Sequence, residues 1–137
     1  MGWVYEALGL YDDACREHEE AVRLDPTPSW RLANLARAAA LAGKPIEARR
    51  RLDELLKRRG SSYVSAVSLA EVFAALEDLD QAFAWLAQGY AERDSQLVYL
   101  AVNRRVENLC ADARFQELLE RIGFPLQGEN CLIRIKY

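Results

Sequence analysis

Histidine is almost missing from this chain of 137 residues: there is one, with one methionine, three cysteines and four prolines. The residue types that most often build metal and nucleophilic sites are therefore scarce. His18 lies three residues from Cys15 and beside Glu19, on one face of an expected helix. A metal needs more ligands than that at short reach, so no metal site is expected. No glycine-rich phosphate loop and no Gly-x-Ser-x-Gly elbow occurs. Carboxylates are plentiful, among them Asp12, Asp13, Glu17, Glu19 and Glu20, but their spacing spreads them along the solvated side of a helix. Catalytic acids need matched, perturbed surroundings, so neither an enzyme nor a cofactor is expected. No uncharged run reaches the roughly 20 residues that a bilayer requires, and no basic stretch followed by an apolar one opens the chain. A membrane segment is not expected. The formal charge of -3 gives no reason to expect nucleic acid as a partner. Cys15, Cys110 and Cys131 are odd in number and widely spaced, which favours reduced thiols and a cytoplasmic setting.

What is present is a period. Shifting the sequence by 34 residues brings Ala14, Ala48 and Ala82 into register, with Gly9 on Gly43, and His18 on Leu52 and Leu86. Gly2 falls on Ala36 and Ala70, Tyr5 on Ala39 and Phe73, and Ala21 on Leu55 and Gly89. A constant period of this size means stacked supersecondary units. Each unit reads as two helices joined by a tight bend. In the second copy, helix A is expected from about Ser29 to Ala42, and helix B opens at Pro45, where the missing N–H would be unsatisfied anyway. Helix B ends near Arg59, before Gly60. In the third copy Ser62 is the expected N-cap of helix A, which runs to about Leu76, and Asp78 caps a helix B that reaches Glu92. Glu77 stands where the earlier copies have glycine; a left-handed backbone there costs about 1 kcal/mol. The small residues let paired helices approach closely, and larger neighbours fill the space beside them.

These residues carry a resemblance. Met1-Gly2-x-x-Tyr5, Ala14-x-x-x-His18 and Pro26 form one copy of a known signature. Leu32-x-x-Leu35-Ala36-x-x-Ala39, Ala48-x-x-x-Leu52 and Gly60 form a second, and Ala66-x-x-Leu69-Ala70-x-x-Phe73, Ala82-x-x-x-Leu86 and Asp94 a third. The chain resembles a tetratricopeptide repeat protein. The resemblance implies an all-α superhelix of about three and a half repeats with a C-terminal cap. Its expected layout is a single domain over 1–122, with a truncated repeat at 1–26, repeats at 29–60 and 62–94, a capping segment at 95–122 and a tail at 123–137. The first copy lacks about two turns of helix A, which reads as a fragment of a longer chain or a miscalled start.

The segment after Glu92 resembles the closing part of tetratricopeptide regions at the C-termini of bacterial transcriptional regulators and serine/threonine kinases. It keeps Glu92, Arg93, Leu97, Tyr99, Leu100, Asp112, Arg114, Phe115, Leu118, Leu119, Gly123 and Pro125, with Asn103-Arg104 and Ala113 where prolines are usual. Helix B of the third copy is apolar nearly all round, so 95–122 is its natural cover. The ending CLIRIKY is strand-like; it is either disordered, paired with another molecule's tail, or folded back over the helices.

The resemblance implies a partner protein or peptide held on the concave side. The expected groove residues are Trp3, Glu6, Trp30, Ala33, Asn34, Arg37, Val64, Val67, Ser68 and Glu71. Trp30 is the best single anchor, with packing against the preceding helix B as its other reading. Glu6 and Glu71 are expected to repel an acidic tail. The basic stretch with Arg49, Arg50, Arg51, Lys57, Arg58 and Arg59 reads as a polyanion patch or as helix-internal pairs, Glu47 with Arg51, Asp53 with Lys57 and Glu54 with Arg58. The pairs and the overall negative charge favour the second. The expected function is protein binding without catalysis. The alternative is an accessory or self-associating segment of a larger bacterial regulator, with a homodimer as one form.

Overall fold

Every regular element that the computed structural model contains, over the residues it describes, 2–124, is helical. The order is α1 (Gly2–Ala7), α2 (Tyr11–Leu24), α3 (Ser29–Leu41), α4 (Pro45–Arg58), α5 (Ala66–Ala75), α6 (Leu79–Glu92), two 3-10 helices (Ser95–Val102 and Arg104–Leu109) and α7 (Ala113–Ile122). The expectations placed on Met1, Pro125 and the 126–137 tail lie outside the described residues. Contacts group the chain into two compact units, Met1–Val64 and Ser65–Tyr137.

The bends between paired helices repeat at 34 residues. Gly9, Gly43 and Glu77 have φ of 74°, 76° and 61°. At each, the left-handed residue and its successor donate back to the ending helix: Gly43 N–H to Ala40 O and Lys44 N–H to Ala39 O, Glu77 N–H to Ala74 O and Asp78 N–H to Phe73 O, with Gly9 and Leu10 donating to Glu6 O and Tyr5 O. These bonds satisfy carbonyls that a helix end leaves open. Glu77 therefore carries the strain expected of a residue with a Cβ in that conformation.

In the first unit α3 contributes half of the buried apolar residues: Leu32, Ala33, Leu35, Ala36, Ala38 and Ala39. Each fully buried leucine contributes about 1.5–3 kcal/mol. Ala14 and Ala48 are inaccessible to solvent, as their close-approach role requires. In the second unit α5 buries seven of its ten residues. Both α5 and α7 pack on α6. Phe115, Leu118 and Leu119 form the inner stripe of α7, and the Arg114 guanidinium lies 4.3 Å from the centroid of the Phe83 ring. The expected cover of α6 is thus present, although Tyr90 remains exposed.

Two local expectations are corrected, the Ser62 cap and the reduced state of all three cysteines. The N-cap of α5 is Ser65, whose Oγ accepts from Ser68 N–H, and not Ser62. Ser62 is engaged at the end of α4, donating N–H and Oγ–H to Arg58 O. Residues Ser95–Val102 and Arg104–Leu109 form 3-10 helices, opened by the Asp94 and Asn103 side chains, which accept from Gln96 N–H and Arg105 N–H. Cys110 is disulfide-bonded, while Cys15 is free and buried.

Candidate functional site

Burial divides the expected groove residues sharply. In the first unit Trp3 is 67% exposed and Trp30 58%. Trp30 rests against Arg31, whose guanidinium lies 5.3 Å from the ring centroid and donates through Nη1 to Ala21 O at 3.0 Å. Asn34 is half-buried. Ala33 and Val64 are buried, as is Val67 in the second unit, so the expectation that they face a partner is corrected. Ala33 lies on the core face of α3 and Val67 on that of α5, while Val64 is buried just before α5. Ser68 is half-buried.

Glu6 and Arg37 are placed together, not along an open surface. One Glu6 oxygen, Oε1, lies 2.9 Å from His18 Nε2, and Oε2 accepts from Arg37 Nη1. The side chains of Glu6, His18 and Arg37 are only 8%, 10% and 13% exposed. Three helices, α1, α2 and α3, each supply one member. Glu71 repeats the theme in the second unit: Asn103 Nδ2 donates to its Oε1 at 3.0 Å and Arg105 Nη1 to its Oε2 at 3.2 Å. Neither carboxylate is therefore a bare repulsive charge, which corrects the electrostatic expectation. Spacing on one helix cannot show such pairs, whose members stand 12 to 34 residues apart.

A carboxylate, an imidazole and a nearby thiol invite a test for nucleophilic chemistry. Burial pushes the Cys15 thiol up from its ordinary value, Glu19, Asp12 and Glu6 push the same way, and Lys44 alone opposes them. An activated cysteine needs the reverse, a depressed thiol in electropositive surroundings. Among the described residues no group of His, Cys, Asp and Glu side chains is arranged to hold a metal ion. No helix among them is long and apolar enough to cross a membrane.

The second unit carries an open groove of about 410 Å³, lined by Glu71, Gln96, Tyr99, Val102, Asn103, Arg104 and Arg105. Tyr99 and Val102 expose apolar surface along its 3-10 wall, and Val98, on the same 3-10 helix, is exposed as well. Sequence reasoning missed this wall. One further 34-residue step finds two positions on it, from Ser68 to Val102 and Glu71 to Arg105, and also leads from Val64 to exposed Val98. A larger cleft of about 690 Å³ at the start of α4 is lined by Glu19, Lys44, Ile46, Glu47, Arg50 and Arg51, together with Gly43 and Pro45. Its charges answer one another: Arg50 and Arg51 pair with Glu47 at 2.7 and 3.1 Å, and Lys44 with Asp12 at 3.1 Å. Arg50 holds the Glu47 carboxyl below the usual carboxylate range. Arg58 adds a contact with Glu54 at 3.6 Å, so two of the three expected pairs, Glu47 with Arg51 and Glu54 with Arg58, are formed.

Set against protein-family models, curated proteins and solved structures, the chain matches none of them.

Proposed function

We propose that the chain is a tetratricopeptide-type module that binds a protein or peptide and performs no catalysis. The partner segment pairs an apolar side chain with a carboxylate. The observation that carries this is the exposure of Val98, Tyr99 and Val102 on a backbone pinned by Glu71, Asn103 and Arg105. A rigid aromatic and aliphatic surface offers contact area with little ordering cost on binding. Exposed Arg104, beside an Arg105 already anchored on Glu71, sets the charge preference. Support for the repeat type comes from the left-handed bends at Gly9, Gly43 and Glu77 and from the small residues buried at Ala14, Ala48 and Ala82.

The test is an array of short peptides pairing Leu or Val with Asp or Glu, and a matched set with Lys, probed with the wild-type chain and with Tyr99→Ala and Arg104→Glu. Selective retention of acidic peptides by the wild type, loss with Tyr99→Ala and reversed charge preference with Arg104→Glu are expected. Equal binding of all three proteins to both sets would remove the proposal.

The second reading is an accessory, self-associating segment of a larger bacterial regulator. It is favoured by the way α7 closes over α6, as the closing-segment resemblance implies. A monomeric mass by light scattering at tens of micromolar would remove its self-associating form.

A further inference from the structure

We propose that Glu6, His18 and Arg37 form a polar latch that makes the docking of α1 a local equilibrium, separable from unfolding of the first unit. Along α1, Gly2 is the one buried residue, while Trp3 and Ala7 are exposed and Val4, Tyr5 and Glu6 are half-buried. By contrast α3 buries six residues, all apolar. A segment with few buried apolar contacts opens at lower free energy than a core helix.

What ties α1 down is mainly polar. Glu6 reaches His18 on α2 and Arg37 on α3 from one carboxylate. The equivalent positions in the other copies are apolar: Ala40 and Ala74 for Glu6, Leu52 and Leu86 for His18. Ala36 and Ala70 replace Gly2, whose missing Cβ leaves room for the His18 ring. The first copy thus substitutes a buried ionic contact for the packing used twice elsewhere. Such a contact is costly to desolvate and is lost as a whole when one partner is removed, whereas well-packed apolar groups in its place are often neutral or stabilising. The arrangement therefore serves specific, releasable docking better than stability.

Hydrogen exchange read by mass spectrometry on the full chain tests the latch. In the wild type, peptides covering α1 exchange faster than those covering α3. Glu6→Gln accelerates α1 exchange by about tenfold to a hundredfold while leaving α3 and α4 unchanged. The combined Gly2→Ala/Glu6→Ala/His18→Leu/Arg37→Met chain, which replaces all three latch members with apolar packing and strands no charge, slows α1 to the rate of α3. Equal exchange of α1 and α3 in the wild type, or an α1 rate unaltered by the combined substitution, overturns the proposal, and the second comparison stands even if Glu6→Gln fails to fold.

Discussion

A methyl group on Gly2 would fall 2.5 Å from Cε1 of His18 and 2.6 Å from its Nε2. The ring cannot swing away freely, because Nε2 is held against Glu6. Gly2→Ala should therefore destabilise the first unit by about 1–3 kcal/mol, the usual range for overpacking. Adding His18→Leu should recover most of the loss by recreating the Ala36 and Leu52 pairing. Urea unfolding of the three chains measures both effects.

At Glu77 the opposite change is expected. A residue with a Cβ is held at φ 61°, and glycine relieves that strain while adding freedom to the unfolded chain. Glu77→Gly should raise stability by about 0.5–1 kcal/mol. Gly43→Ala, at φ 76°, should lower it by about 1 kcal/mol. A midpoint shift of the same sign in both variants would contradict the assignment.

Asp94 is nearly buried and accepts three hydrogen bonds, from Ser65 Oγ at 2.7 Å, Gln96 N–H at 3.0 Å and Val67 N–H at 3.3 Å. It joins the starts of α5 and the first 3-10 helix. Asp94→Ala should cost about 2–4 kcal/mol, since it strands donors that are shielded from water. Asp94→Asn keeps an acceptor oxygen and should cost less. Thermal melts of the two variants give the comparison.

The Cys15 thiol should be slow to alkylate at neutral pH, because burial raises it above its ordinary value of 9.0. Lys44 is the one group that opposes the rise, so Lys44→Ala should slow the reaction further. Linkage has a definite sign here. Above pH 9 the unfolded thiol ionises before the folded one, and the fold loses stability until the folded thiol also ionises. Iodoacetamide labelling of Cys15 followed by peptide mapping from pH 7 to 10 checks the rate, and Cys15→Ser should flatten the alkaline loss.

The sequence by itself determined what depends on neighbours along the chain. Gly9, Gly43 and Glu77 recur at one period because each hairpin needs a left-handed residue at its bend, and Ala14, Ala48 and Ala82 recur because each crossing needs a small one. The cap at Asp78 and the cover of α6 followed from the same local patterns. Tertiary structure decided the state of the charges. Glu6 meets Arg37 across 31 residues and Glu71 meets Arg105 across 34, and only folding brings such distant groups within hydrogen-bonding reach. It also decided which groove positions are open: Trp3 and Trp30 stay exposed while Ala33, Val64 and Val67 turn into the core. The exposure of Val98, Tyr99 and Val102 was hidden for a related reason. Residues 95–109 wind as short 3-10 turns of three residues each, so the 3.6-residue periodicity that reveals the open face of an α-helix does not apply there.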